Sequence, residues 1–233
     1  DHVDVVWHRP DGPSEGPVVM VTHGAGGGLD DPAIVAFADV VATAGLLAVR
    51  ATMPYRQRRA KGPPPRAERG VGDLAAVLVG LQQAVPRARS WVLAGKSYGG
   101  RLATMVAAGM PEVDRVVPLT GRFDLAGVAC LSYPLHPPGR PERLRVDHLG
   151  AIEVPLLFLQ GTHDPFGGPD ELAPHVDDLA APVTVVAVPG GDHALKVPRT
   201  RSADGATHAP AGVVAGLARD VTAWLASLPG GHD

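Results

Sequence analysis

Short runs of β-branched and leucine-rich residues punctuate the chain at Val3–Trp7, Val18–Thr22, Leu46–Arg50, Trp91–Ala94, Val116–Leu119, Leu156–Gln160 and Val183–Val188. Most are apolar almost throughout instead of alternating with polar positions. That pattern predicts strands covered on both faces, as in a parallel sheet. Between the runs, apolar residues recur at helical spacing. Asp31-Pro32 has the form of an N-cap followed by proline at the first helical position, after which Ile34, Phe37 and Val41 share one face. Gly45 is placed to stop that helix. Leu74, Val77, Leu78 and Leu81 form a second stripe ending before Pro86, Leu172, Val176 and Leu179 a shorter one, and Val214, Leu217, Val221 and Trp224 a last one. Alternating strands and helices imply an α/β fold, with a mostly parallel sheet of about seven strands and helices on both faces. In such sheets a site forms at the carboxyl ends of the strands. The segments expected to be least ordered are Pro54–Gly70 and Arg199–Pro210.

Composition narrows this picture in a few places. With 233 residues, 45% of them hydrophobic, the chain reads as one domain spanning 1–233 with an ample core. A net charge of -3 argues against a general polyanion binder. Cys130 is the sole cysteine, so an intrachain disulfide and a cysteine-built zinc site are both excluded. The longest apolar stretch, Val40–Val49, is half a membrane span, so no membrane partner is expected. No basic segment followed by an apolar one begins the sequence, and a cytoplasmic location is expected. The 29 Gly and 24 Pro approach the level of low-complexity chains, which makes their placement informative.

Glycines gather at four predicted strand ends. Trp91–Ala94 runs into Gly95-Lys96-Ser97-Tyr98-Gly99-Gly100 and then a helical segment, which is G-x-S-x-G between strand and helix. Such a turn pushes the serine hydroxyl clear of the sheet, and small flanking residues let the backbone pass itself. A serine needs a base, and the base an orienting group. His193 follows the strand Val183–Val188 within Gly190-Gly191-Asp192-His193, and Asp164 follows Leu156–Gln160 within Gly161-Thr162-His163-Asp164. The order Ser97, Asp164, His193 matches one known triad order. Asp192 is a rival acid but adjoins the histidine, where neighbouring side chains point apart. Asp124, after the predicted strand Val116–Leu119, is a second rival. His163 beside Asp164 finds no third metal ligand at suitable spacing, so no metal is expected.

Two backbone N–H groups should face the developing negative charge. One is that of Tyr98. The other falls in His23-Gly24-Ala25-Gly26-Gly27-Gly28, with Ala25 the first choice and Gly26 the second. Two phosphate-site readings fail. A P-loop ending at Gly95-Lys96-Ser97 needs glycine where Ser90 stands, and a dinucleotide fingerprint starting at Gly24 needs glycine at Leu29 and an acid where Arg50 stands.

On the motifs at 23–28, 95–100, 161–167 and 191–193, the chain resembles the α/β-hydrolases of the small, dienelactone-hydrolase-like kind. More narrowly, Cys130-Leu131-Ser132-Tyr133-Pro134-Leu135-His136-Pro137-Pro138-Gly139 and the following 140–149 resemble bacterial relatives of the testis-expressed protein 30 group. The resemblance implies Ser97 as nucleophile, Asp164 as acid and His193 as base, with no cofactor. Some relatives serve as subunits of chromatin-modifying assemblies, so a non-catalytic interaction module on the same scaffold is the alternative. A cap would be inserted at about 121–154; its prolines predict a loop-like lid. His23, Tyr133 and His136 are candidates to touch substrate. Cys130 is expected to be a small buried residue. Arg56, Arg58, Arg59, Lys61, Arg66 and Arg69 crowd the 54–70 loop, and a solvated loop is preferred to an electropositive rim. With only Tyr55 there to stack on bases, nucleic acid is not an expected partner. The expected substrate is a small-molecule carboxylic ester or thioester.

Overall fold

The computed structural model describes residues 2–59, 61–114 and 123–229. Its strands are β1 (Val5–His8), β2 (Val18–Thr22), β3 (Ala48–Ala51), β4 (Trp91–Lys96), β5 (Leu125–Leu131), β6 (Leu156–Gly161) and β7 (Val183–Val188). They form one sheet in the order β1-β3-β2-β4-β5-β6-β7. Among the described strands only β1 runs antiparallel, against β3. The helices are α1 (Pro32–Thr43), α2 (Pro54–Arg58), α3 (Ala67–Ala84), α4 (Tyr98–Ala107), α5 (Pro111–Asp114), α6 (Pro169–Leu172), α7 (Pro210–Gly216) and α8 (Ala218–Ala226).

The near-continuous apolar strands divide their side chains between two cores. Val18 and Met20 of β2, Trp91 and Leu93 of β4, and Leu156 and Phe158 of β6 face α3 and α4. Val19, Val21, Val92, Ala94, Leu157 and Leu159 face α1 and α8. Period-two alternation thus persists with both faces buried, the situation in which hydropathy stops alternating. Asp31 caps α1 by accepting from the Ala33 N–H at 3.0 Å, and Gly45 closes the helix with φ +89.

Three expectations change. The predicted strand Val116–Leu119 lies outside the described residues; β5 occupies Leu125–Leu131, inside the span expected to be a lid. Its sequence, LAGVACL, is too rich in alanine and glycine to announce a strand. Those small residues have a use: a side chain at Gly127 would meet Leu228 and Trp224 at 2.9 and 3.0 Å, where the C-terminal helix crosses the sheet. The segment joining β5 to β6 is therefore 132–155. Pro54–Gly70 is also more ordered than expected, since α2 and the start of α3 lie within it. The Leu172–Val176 stripe is no continuous helix, because Pro174 falls within it and α6 passes into a single 3-10 turn.

Candidate active site

At the carboxyl end of β4 the chain turns sharply into α4, and Ser97 takes φ +50 and ψ -113. Few non-glycine residues adopt that backbone, and it projects the side chain away from the strand. The turn is tight enough to forbid side chains beside it. A Cβ at Gly95 would stand 2.4 Å from the Gly99 carbonyl carbon, and one at Gly99 would stand 2.7 Å from the His23 carbonyl oxygen.

Ser97, Asp164 and His193 converge at this edge. His193 Nε2 lies 2.7 Å from Ser97 Oγ. His193 Nδ1 lies 2.8 Å from Asp164 Oδ2 and 3.0 Å from Oδ1. An ionised carboxylate only accepts, so Nδ1 carries the proton and Nε2 is left to accept from the serine hydroxyl. Asp164 is buried. Besides His193 it accepts from the Phe166 N–H at 2.8 Å and from Gln160 Nε2 at 3.2 Å. Phe166 also stacks on the imidazole, with ring centres 4.0 Å apart. His193 keeps 22% of its side chain exposed.

Both rival acids are placed elsewhere. Asp192 accepts from the Ala194 and Lys196 N–H groups at 2.9 Å each, a turn residue folding its own loop. Asp124 precedes β5, and its carbonyl accepts from the Trp91 N–H at the amino end of the sheet, opposite Ser97, Asp164 and His193.

The loop from His23 to Asp31 is pinned from several sides. Tyr55 Oη donates to the Gly24 and Ala25 carbonyls at 3.3 and 3.1 Å, and Arg56 also donates to Ala25. Arg50 donates to the Leu29 carbonyl, and Lys96 Nζ lies 2.8 Å from Asp31 Oδ2. In a planar trans peptide N–H and C=O point oppositely. With the Gly24 and Ala25 carbonyls turned toward Tyr55, the Ala25 and Gly26 N–H groups face away from it. Neither has an intramolecular acceptor among the described residues. The Tyr98 N–H opens α4, where helical geometry leaves it unpaired.

The three residues expected to touch substrate are withdrawn from the surface, which corrects that expectation. His23 is fully buried; its Nδ1 donates to the Gly24 carbonyl at 2.8 Å and Nε2 accepts from the Met53 N–H at 3.2 Å. Burial pushes its pKa below the ordinary value, which suits this neutral tautomer. Tyr133 is buried edge-on to Phe158 and donates to the Arg145 carbonyl at 2.6 Å. His136 is buried against the Pro137 carbonyl and Glu171. Cys130 is buried as expected, and desolvation pushes its thiol pKa up.

Sequence reasoning missed the residues that hold the site together. Lys96 drew notice only as part of a false P-loop, yet its ion pair ties the serine turn to the 23–31 loop. Gln160 was visible as the one polar residue closing an apolar strand. Tyr55 and Arg56 lay in a segment read as solvated. Among the described residues no group of three or more His, Cys, Asp or Glu could hold a metal ion, and no helix is long and apolar enough to cross a membrane.

A family model described as an alpha/beta hydrolase domain matches residues 15–225. The fold is similar to an alpha-beta serine hydrolase homologue from Coxiella burnetii, with TM-score 0.68 and 18% identity over 95% of this chain and 90% of that one. It is also similar to a dienelactone hydrolase from Anabaena variabilis, with TM-score 0.61 and 19% identity over 95% and 90% of the two chains. A third similar structure is esterase 2 of Thermogutta terrifontis phosphonylated by cyclosarin, with TM-score 0.59 and 16% identity over 82% and 79%.

Proposed function

The chain belongs to the alpha/beta hydrolase domain family, and from that premise we propose that it is a serine hydrolase cleaving a small carboxylic ester or thioester through an acyl-enzyme. The observation that carries the reading is the unbroken run from Asp164 through His193 to Ser97, with links of 2.8 and 2.7 Å. A buried carboxylate, an oriented imidazole and a strained serine at one sheet edge have a shared use in acyl transfer.

In this reading Ser97 Oγ attacks the carbonyl carbon as His193 Nε2 takes its proton, and Asp164 stabilises the resulting imidazolium. The tetrahedral oxyanion is met by the Tyr98 N–H and by that of Ala25, with Gly26 the second candidate. His193 then protonates the leaving alcohol or thiol. Water attacks the acyl-enzyme by the same relay and frees Ser97. We place 1–233 as one domain carrying this chemistry. We also propose the narrower kinship to the testis-expressed protein 30 group on 130–149; Cys130, Tyr133 and Leu135 there are core residues, so the likeness speaks to packing before it speaks to substrate.

A fluorophosphonate probe tests the proposal. Ser97 is expected to be labelled, and His193→Ala to abolish labelling. A serine left unmodified, or labelling indifferent to the histidine, would favour a non-catalytic module on this scaffold. A series of p-nitrophenyl esters and acyl-thioesters of rising chain length then identifies the preferred leaving group.

A further inference from the structure

Gln160 is the penultimate residue of β6, fully buried and four residues before Asp164. Its amide is fully engaged. Oε1 accepts from the Tyr133 N–H at 2.8 Å. Nε2 has two hydrogens for three acceptors, so one N–H is shared: Gly167 O lies at 2.6 Å, and Asp164 Oδ2 and Tyr133 O at 3.2 Å each. One end meets a donor and the other meets only acceptors, so the amide can lie in one orientation alone.

We propose that Gln160 is a positioning residue that holds the Asp164 carboxylate square to His193 and ties it to the backbone at Tyr133. The inference rests on the serine-hydrolase reading above. Each carboxylate oxygen has one anchor besides the imidazole: Phe166 N–H on Oδ1 and Gln160 Nε2 on Oδ2. Two anchors fix the carboxylate plane; one leaves it free to turn. The strand pairing of β5 with β6 ends at Leu131 and Leu159, and beyond it the Gln160 side chain pairs with both backbone groups of Tyr133. The His136 N–H adds a bond to the Phe166 carbonyl at 3.1 Å. The segment after β5 is thereby fastened to the acid loop, and a shift at 133–136 is felt at Asp164.

No common substitute reproduces this set of bonds. Glutamate would present an oxygen to three oxygens, and methionine fills the volume while donating nothing. The test is a double-mutant cycle of Gln160→Met and Asp164→Asn, read by the rate of Ser97 labelling and by kcat and KM for p-nitrophenyl acetate across pH. Gln160→Met alone is expected to lower kcat/KM and the labelling rate about tenfold to hundredfold, the worth of a hydrogen bond to a charged group. The loss should fall on kcat. KM should stay within about threefold of the parent's, since the buried Gln160 acts through Asp164 and not on substrate.

In the Asp164→Asn background the same substitution should add less than threefold, since its effect runs through the missing carboxylate. If Gln160→Met does not fold, Gln160→Glu keeps the volume and the acceptor for the Tyr133 N–H and is read in the same cycle, with a loss of at least about tenfold expected. A single variant within threefold of the parent, or full additivity with Asp164→Asn, overturns the inference and leaves the hydrolase reading standing. Parent protein that is not labelled at Ser97, or is labelled regardless of His193→Ala, overturns both.

Discussion

Gly95→Ala probes the serine turn at its most crowded point. The added methyl would stand 2.4 Å from the Gly99 carbonyl carbon, 2.5 Å from the Gly100 nitrogen and 2.8 Å from the Gly99 oxygen. Carbon atoms in contact sit at about 3.5 Å, so β4 and the first turn of α4 must part by about 1 Å. All three obstacles are backbone, and no rotamer change relieves them. Overpacking of this kind costs about 1–3 kcal/mol. For a chain of this size that lowers Tm by about 2–12 °C. The same displacement carries Ser97 Oγ from 2.7 Å toward the limit of hydrogen bonding with His193. A misplacement of about 1 Å costs about a hundredfold in rate. Steady-state hydrolysis of a p-nitrophenyl ester and thermal unfolding by circular dichroism read the two effects together. Gly26→Ala is the control, because a Cβ there has nothing within 4 Å, and its stability should stay within about 0.5 kcal/mol. A Gly95→Ala protein with parental kcat and Tm would refute the steric argument for this turn.

Lys96→Met leaves the Asp31 carboxylate without its cation at a site where both side chains are 13% exposed. It should destabilise by about 3 kcal/mol or more in urea unfolding, and adding Asp31→Asn should recover part of the loss; no recovery would mean the charges are not coupled. His148 is pushed down to about 4 by burial and by the nearby Arg101. Below its ordinary value of 6.5 the unfolded chain binds a proton that the folded chain refuses, so stability falls as pH drops from 6.5 toward 4, by up to about 3 kcal/mol. Gln at 148 can keep the hydrogen bond to Thr104 and cannot titrate. Urea midpoints for His148→Gln should therefore slope less over that range, with a remainder from His23, and a curve parallel to the parent's would contradict this account.

Where one physical cause governed a stretch of sequence, its structure could be read directly. β2, β4 and β6 announced themselves because a strand buried on both faces needs unbroken apolar residues. The convergence of Ser97, Asp164 and His193 was legible because glycine turns mark the strand ends from which they extend. β5 stayed hidden because its residues answer a second demand, the close approach of the C-terminal helix over Gly127, and small residues score poorly as strand. With β5 unread, Asp124, which precedes it, was also put at the wrong end of the sheet. His23, Tyr133 and His136 were misread because polarity near a site looks the same in sequence whether the group faces substrate or a buried carbonyl. Only the partners seen in three dimensions, such as Met53 N–H for His23 and Arg145 O for Tyr133, separate the two.

The hydrogen bond between Ser97 and His193 joins residues 96 apart along the chain, and the strands between them must dock in order before it can close. Contacts of such sequence separation are among the last a folding chain completes, since loop closure precedes any reward. A covalent probe of Ser97 that depends on His193 would therefore report only molecules in which β4 and β7 have both docked.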